Sequence, residues 1–310
     1  APGRQASVSP LRFAHGEGRW VQSAAPAPQG RADGAQLDNT PVMNAAASPW
    51  AVCLLLASAM TTDAPKDAVS SLAPRGTLRA AINLGNPVLA QRDAPGGALA
   101  GVSVDLAREL GRRLGVRVEL VPYDAAGKVF DALQADAWDV AFLAIDPKRA
   151  AGIAFTRPYV LIEGTYLVPD ASPLRALEDV DRDGVRVAVG RGSAYDLFLT
   201  RALRRAALVR AETSAAALDL FLTDHLEVAA GVRQPLVAFA KAHPGLRVMD
   251  GRFMAIEQAM GTPRGRDAGA RYLDAFVADA IASGRVARAL AGSGQRDVSI
   301  APARGSGSAP

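Results

Sequence analysis

The segment VSVDLARELGRRLGVRVELVP, residues 102–122, joins a helix pattern directly to a strand pattern. Its first part places apolar side chains at the spacing of one helix face, at Val102, Leu106, Leu110 and Leu114. Asp105 lies in the first turn, where a carboxylate interacts favourably with the helix dipole. Residues 116–122 then alternate apolar and polar side chains, as a half-buried strand does. The segment therefore predicts one helix followed by one strand.

The same alternation of strands and helices extends through most of the chain from Gly76 onward. Further strands are predicted at 77–83, 138–144, 161–168, 185–190, 207–211 and 226–231. Further helices are predicted at 128–135, 193–205, 214–222, 234–243 and from Arg266 to about Ser283, with a connecting stretch at 251–261. Strands that alternate with helices predict an α/β protein with two small lobes and mostly parallel sheets.

Composition excludes several other classes of protein. The 310 residues are 49% hydrophobic and 21% charged, which is typical of a globular chain of about two domains. The single cysteine excludes a disulfide framework and a multi-cysteine metal centre. The net charge of +4 is dispersed and aromatic residues make up 5%, so we expect no nucleic-acid partner. No HExxH, P-loop or GxGxxG spacing occurs, and we therefore expect neither a metal nor a cofactor.

The two ends of the chain differ from this pattern. Residues 1–42 lack helical and strand periodicity, so we expect them to be disordered or to precede the true start at Met43. Residues 43–60 contain WAVCLLLASAM, whose apolar core is too short to span a bilayer and suits a signal peptide. A short helix packed on the domain is the alternative. The turn-rich tail, 296–310, is expected to be loose.

Several motifs resemble, in order, those of the family 3 extracellular solute-binding proteins, the periplasmic receptors of polar amino-acid ABC importers. They are GTLR (76–79), GALAGVSVDLARELGRRLGV (97–116), DALQADAWDVAF (131–142), DPKRAAGIAFTRPY (146–159), VAVGRGSAYDLFL (187–199) and SGRVARAL (283–290). The resemblance covers about residues 76–292, and its most specific piece is PKRAAGIAFTRPY.

The resemblance implies a type II-like periplasmic binding protein fold, in which two mostly parallel sheets are joined by two hinge strands. Lobe 1 would comprise 76–165 plus 255–295, and lobe 2 would comprise 170–250. The hinges would lie near Tyr166–Pro169 and Phe253–Gln258. The family also implies an exported periplasmic monomer, a small carboxylate-bearing ligand held between the lobes, and a membrane permease as partner.

Arg149 matches the family arginine that grips the carboxylate of the ligand. A planar guanidinium offers two parallel N–H bonds to a carboxylate, although pairing with Asp146 at the surface is the alternative. Gly192 and Ser193 lie where a strand turns into a helix, and Ser193 matches a ligand-contacting position. Its alternative role is ordinary helix capping. Tyr195, in the first turn of the same helix, completes this part of the candidate site.

Other positions depart from the family pattern. Phe142 and Ala144 replace hydroxyl residues that bind the ligand, and the acceptor of its ammonium group falls near Val232, followed by Arg233. Glu163 interrupts an apolar run, so we expect it to face the cleft or a cation such as Arg149. An ion pair at the hinge is the alternative. The departures predict a small acid whose recognition does not depend on an α-ammonium group in the usual place.

The leading functional hypothesis is a non-catalytic binding protein of an ABC importer. The alternative is an enzyme that resembles cyclohexadienyl dehydratases, with Glu163 as general acid. A receptor that feeds a membrane sensor through a partner is the third hypothesis. A triad of Ser193, His225 and an aspartate has no support in the spacing.

Overall fold

The computed structural model describes residues 64–92, 94, 96–295 and 298–302. The predicted disordered start, 1–42, and the signal-peptide-like segment, 43–60, lie outside the described residues, as does most of the 296–310 tail. None of the helices in the described ranges is long and apolar enough to cross a membrane.

The described residues form strands and helices in alternation. The strands are β1 (Thr77–Asn83), β2 (Gln91–Arg92), β3 (Leu99–Ala100), β4 (Arg117–Tyr123), β5 (Val140–Ala144), β6 (Ile153–Pro169), β7 (Arg186–Gly190), β8 (Ala207–Ala211), β9 (Val228–Val232), β10 (Leu246–Val248), β11 (Met254–Pro263) and β12 (Ser299–Ile300). The helices are α1 (Lys66–Leu72), α2 (Val102–Leu114), α3 (Ala126–Asp131), α4 (Pro147–Ala150), α5 (Ala194–Ala202), α6 (Ser214–Thr223), α7 (Arg233–Ala242), α8 (Asp267–Ala282) and α9 (Arg285–Gly292), with a 3-10 turn at Leu177–Val180.

The main sheet has the strand order β4-β1-β5-β11-β6-β9-β7-β8. At one end β1 pairs in parallel with β4 and β5, and at the other β7 pairs in parallel with β8 and β9. We call the first group with its packed helices the first lobe, and the second group with α5, α6 and α7 the second lobe. The α/β fold class predicted from the sequence is confirmed.

The two parallel regions, which the resemblance implied to be two sheets joined by two hinge strands, belong to one hydrogen-bonded sheet. The cause is β6, which runs for 17 residues and pairs with β11 along its first part. Near Gly164 it changes partner and pairs antiparallel with β9 through Leu167. A short strand in the predicted tail, β12, also pairs with β6 at Leu161 and Val160.

Each lobe has its own buried apolar core. In the first lobe, α2 buries Val102, Leu106 and Leu110 completely, on the face that the sequence predicted. Trp138 and Ile153 fill the opposite side of the same region of the sheet. In the second lobe two further clusters cover the sheet, one around Tyr166 and one around Phe221. The lobes are therefore separately packed bodies joined by shared strands.

A buried ion cluster ties together the parts of the first lobe that are distant in sequence. Asp139, which is 0% exposed, accepts hydrogen bonds from Arg79 at 2.8 and 2.9 Å and from Arg266 at 2.8 Å. These bonds lower the pKa of Asp139 against the effect of desolvation, which acts in the opposite direction and is the largest single influence. Because Arg266 directly precedes α8 and Arg79 lies in β1, the cluster holds the start of α8 against β1.

Candidate functional site

A small cavity of about 30 Å³ lies between the lobes, where several strands end. The first lobe contributes residues after β1 and β5, and the second contributes the end of β9 and the beginning of α5. Its lining comprises Asn83, Gly85, Asn86, Ala126, Ala144, Arg149, Ser193, Ala194, Tyr195, Ser214, Val232, Ile256 and Gln258. Ligands of open α/β folds bind at the carboxyl ends of the strands, and this cavity has that position.

Arg149 is the principal charged group of this cavity. Its residue is 1% exposed, and it belongs to the short helix α4, which Asp146 caps by accepting from the Lys148 N–H at 2.8 Å. The Arg149 guanidinium donates from Nη1 to the carbonyl of Ala144 at 2.9 Å and from Nη2 to the carbonyl of Gly192 at 2.8 Å. Arg149 therefore connects the two lobes.

The charge of Arg149 is not neutralised by a paired carboxylate among the described residues. Its Nε is buried without a hydrogen-bond partner there. Asp146 acts on the guanidinium only through space, because its carboxylate pairs with Arg201 at 2.8 Å. Desolvation lowers the pKa of Arg149 to about 10, so the group stays cationic at neutral pH. A buried cation without a counter-ion is costly, and an anionic ligand offsets that cost.

The turn before α5 brings the backbone of the second lobe against the first. Gly192 has a φ of 67°, and a Cβ atom at this position would lie 2.8 Å from the Cα of Gly127. The Gly192 N–H donates to Asp196 at 2.8 Å, and the Ser193 hydroxyl accepts from the Asp196 N–H at 3.0 Å. Ser193 thus performs the helix capping that the sequence offered as its alternative role, while it also lines the cavity.

Tyr195 joins the small cavity to a larger one of about 370 Å³. Both cavities share Gly85, Tyr195, Ser214 and Val232 in their linings. The Tyr195 hydroxyl donates to the Ser214 Oγ at 2.7 Å, and burial raises the pKa of Tyr195. The phenol therefore remains a protonated donor at neutral pH, fixed at the junction of the two cavities.

Besides Gly192, whose carbonyl accepts from Arg149, three candidate residues lie outside both linings. Glu163 pairs with Arg233 at 2.6 Å and with Arg252 at 3.3 Å. The cation expected from the sequence was Arg149, and it is not the partner of Glu163. Arg233 also donates a hydrogen bond to the carbonyl of Gly251. The Glu163–Arg233 ion pair lies where β6 changes its pairing partner from β11 to β9. Phe142 is 1% exposed and packs edge-on against Tyr159, with ring centroids 6.4 Å apart, in the core of the first lobe.

Several lining residues were not singled out from the sequence. Asn83 ends β1, Gly85 and Asn86 follow it, Ser214 begins α6, and Gln258 lies within β11. The first three could have been found, because they lie at the carboxyl end of a predicted strand or directly after it. Gln258 was placed at a hinge by the resemblance, and nothing in its local sequence marks it as a residue that lines a cavity.

A third, basic cavity of about 590 Å³ also has Arg149 in its lining. Its lining contains the cations Lys128, Lys148, Arg149, Arg191, Arg201 and Arg210. Carboxylates already pair with four of them: Asp124, Glu212, Asp146 and Asp196 accept from Lys128, Arg191, Arg201 and Arg210. Within the described ranges, no group of three or more His, Cys, Asp or Glu residues is arranged to hold a metal ion.

Comparisons with known proteins agree with this architecture. Cyclohexadienyl dehydratase of Pseudomonas aeruginosa is 26% identical over 161 residues, which are 51% of this chain and 59% of that protein. The chain therefore matches little more than half the length of this curated relative. The solute receptor for L-cysteine of Neisseria gonorrhoeae has a TM-score of 0.64 at 21% identity, with 73% of this chain and 92% of that chain covered.

An ancestral amino acid-binding protein, a precursor of cyclohexadienyl dehydratase, has a TM-score of 0.61 at 23% identity, with 72% of this chain and 98% of that chain covered. At these identities the solved structures establish the fold alone. The model of the bacterial extracellular solute-binding proteins, family 3, matches residues 78–292, which include both lobes and every lining residue of the small cavity. The chain belongs to the family 3 bacterial extracellular solute-binding proteins.

Proposed function

We propose that this protein is the periplasmic receptor of an ABC importer and that it closes as a monomer on a small ligand that carries a carboxylate. The observation that carries the proposal is Arg149, a buried cation between the lobes whose Nε lacks a partner in the described part of the chain. Family membership supports the receptor role, and the signal-like segment supports export.

Arg149 suits this role because it has N–H groups to spare. Two of its five N–H donors are used by the Ala144 and Gly192 carbonyls, which hold the guanidinium plane in place. A carboxylate that binds the remaining donors forms charge-assisted hydrogen bonds in a site closed to water. Closure and ligand binding are then coupled, since the second lobe contributes the Gly192 carbonyl that orients the arginine.

A thermal-shift screen of amino acids, dicarboxylates and aromatic acids tests the proposal, because a ligand that binds only the native state raises the melting temperature. We expect a rise with at least one carboxylate and no rise with the same compound in the Arg149→Met variant. Arg117→Met, which replaces an exposed arginine in β4, is the matched control and should respond like the natural protein. A shift that persists in Arg149→Met would contradict the proposal.

A second candidate function is that of a dehydratase, favoured by the similarity to the enzyme of Pseudomonas aeruginosa. Such a reaction needs a general acid in the cleft. Glu163, the acid nominated from the sequence, lines neither cavity and is held by Arg233 and Arg252. Among the described lining residues of the two joined cavities, the acidic group is Asp124, whose side chain pairs with Lys128 at 2.8 Å.

Incubation of the purified protein with prephenate or arogenate distinguishes the two functions. We expect no turnover above the rate without protein, because the carboxylate nominated as acid lines neither cavity and is engaged in ion pairs. Turnover that is abolished by Asp124→Asn or Glu163→Gln would establish the enzyme instead.

A further inference from the structure

The 370 Å³ cavity has an apolar lining that the proposed function does not explain. It is bounded by Leu84, Gly85, Pro87, Asp124, Tyr195, Thr213, Ser214, Ala215, Leu218, Ala230, Gly231, Val232, Pro235 and Leu236. Its volume lies within the range of about 300–1,000 Å³ that small-molecule sites have. Apolar residues come from both lobes, with Leu84 and Pro87 after β1 opposite Leu218 and Leu236 on α6 and α7.

This cavity adjoins the Arg149 cavity. The two cavities have four lining residues in common, Gly85, Tyr195, Ser214 and Val232. Arg149 lines only the smaller of the two. A molecule whose carboxylate lies against Arg149 can therefore place its remaining atoms beside Tyr195, in the 370 Å³ cavity.

Charged groups are scarce in the larger cavity. Among the described residues that line this cavity, the ionisable side chains are those of Asp124 and Tyr195. The Asp124 side chain is 59% exposed and pairs with Lys128 at 2.8 Å, so it is engaged at the rim. Arg233, next to the lining residue Val232, is held by Glu163 and is unavailable to a second anion. A charged body would lose hydration here without gaining a counter-ion.

We propose that the bound molecule is a monocarboxylate with an apolar, uncharged body, such as a branched aliphatic or an aryl-substituted acid. This inference rests on the proposed function, because it uses Arg149 as the anchor of the carboxylate. It goes beyond that function in assigning the remainder of the molecule to the 370 Å³ cavity. The body gains affinity by removing apolar surface from water, while Tyr195 and Ser214 mark the boundary between the two parts of the site.

Calorimetric titration with five small probes tests this assignment. Two acids with apolar bodies, 4-methylpentanoate and 3-phenylpropanoate, are compared with glutarate, which adds a carboxylate, and 5-aminopentanoate, which adds an ammonium. Leucine adds an α-ammonium to the first probe. We expect the tighter of the two apolar acids to bind at least about tenfold more tightly than glutarate and 5-aminopentanoate, a ratio typical of discrimination in hydrophobic pockets.

The outcomes separate the two proposals. The apolar assignment would be overturned if glutarate or 5-aminopentanoate bound more tightly than both apolar acids, or if leucine bound and none of the four acids did. Neither result would overturn the proposal that Arg149 anchors a carboxylate. Failure of all five probes, together with no Arg149-dependent shift in the broader thermal screen, would overturn both proposals.

Two variants on α6 provide a test within the chain. Leu218 and Leu220 are both half-buried, but only Leu218 lines the cavity. Leu218→Asn should weaken binding of the preferred apolar acid about tenfold or more, whereas Leu220→Asn should leave it within about twofold. Equal effects of the two variants, at equal melting temperatures, would contradict the assignment. If Leu218→Asn fails to fold, the ranking of the probes on the natural protein decides.

Discussion

At the scale of single residues, the candidate site is defined by which charges have partners. Glu163 and Arg233 neutralise each other at 2.6 Å, and Asp146 is taken by Arg201. Arg149 alone among these lacks an ion-pair partner in the described residues, although it is fully buried. Because most nearby charges are internally paired, the site has one strong electrostatic preference, which is for an anion beside Arg149.

Val232 offers a direct test of how this site differs from an amino acid site. It lines both joined cavities and caps α7 without a side-chain hydrogen bond. Val232→Asp introduces a carboxylate where the sequence comparison predicted the missing ammonium acceptor. We expect leucine to gain affinity relative to 4-methylpentanoate by about tenfold or more, because a buried ammonium then finds a counter-charge.

Calorimetry on the natural protein and the variant measures this ratio. The new carboxylate also suits a helix N-cap, so we expect the melting temperature to be maintained. An unchanged preference between the two probes, in a folded variant, would show that Val232 is not where an ammonium group would lie.

Part of this site could be identified from the sequence, because residues close together in the chain determine its local structure. Arg149 and Ser193 lie in local motifs, where neighbouring residues determine the short helix α4 and the turn before α5. The role of Glu163 depends on Arg233, which is 70 residues away, and a sequence without its fold does not reveal that pair. Phe142 was correctly placed on a strand, but the strand turns its ring into the core against Tyr159.

At the scale of elements, two turns meet where the lobes approach each other. Gly192, before α5, lies against Gly127 of α3, and a Cβ at Gly192 would lie 2.8 Å from the Gly127 Cα. Backbone atoms cannot move aside as a flexible side chain can. The absence of side chains at both positions therefore permits the closed arrangement in which Arg149 donates to the Gly192 carbonyl.

We expect Gly192→Ala to hold the lobes apart and to weaken ligand binding by about tenfold or more. Gly184→Ala is the matched control, because Gly184 also has a positive φ, at 83°, but nothing within 4 Å of its Cβ position. Both variants pay a similar backbone cost of about 1 kcal/mol. Small-angle scattering and calorimetry should show an expanded, weakly binding protein for Gly192→Ala only. Equal behaviour of the two variants would refute the close-approach explanation.

Local pattern predicted most elements but not the centre of the sheet. The helix predicted at 102–115 is α2, and the predicted start near Arg266 agrees with α8. Periodicity indicated only a connecting stretch at 251–261, whereas the resemblance implied a hinge strand near Phe253–Gln258; residues 254–263 form β11 between β5 and β6. Its glycine and polar residues weaken the strand pattern, and its pairing with strands on both sides is a tertiary effect that sequence periodicity does not contain.

At the scale of the whole molecule, buried carboxylates link segments that are far apart in sequence. Glu109 of α2 is 8% exposed and pairs with Arg112, Arg113 and, at 3.1 Å, with Arg285 of α9. The hydrogen bond from Arg112 is the largest influence that lowers the pKa of Glu109, to about 2. Asp139 also has a lowered pKa and joins Arg79 to Arg266.

This arrangement predicts how stability depends on pH. A carboxylate whose pKa is lower in the folded than in the unfolded state stabilises the protein at pH values above its unfolded-state pKa. That contribution is lost as the pH falls through the folded-state pKa. For Glu109 this loss occurs as the pH falls from about 4.5 to about 2. It amounts to up to about 3 kcal/mol of the free energy of unfolding. Glu109→Gln should therefore flatten the fall in melting temperature over this range.

Thermal denaturation of the natural protein and Glu109→Gln, measured from neutral pH to about pH 2.5, tests this prediction. Glu119→Gln, which replaces an acidic residue in β4, serves as the control. The natural protein should lose its advantage over Glu109→Gln as the solution is acidified. A constant difference between them at all pH values would show that the ion pairs of Glu109 do not contribute through its charge.

The central claim is that Arg149 recognises a carboxylate between the lobes. Calorimetry tests it most directly with the tightest-binding of the four acid probes and the primary amide of that acid, on the natural protein and on Arg149→Met. We expect the natural protein to prefer the acid by about 30-fold or more, since a buried charge-assisted pair is lost with the amide. In Arg149→Met the preference should fall below about threefold. A preference for the acid that is as large in Arg149→Met as in the natural protein would contradict the account.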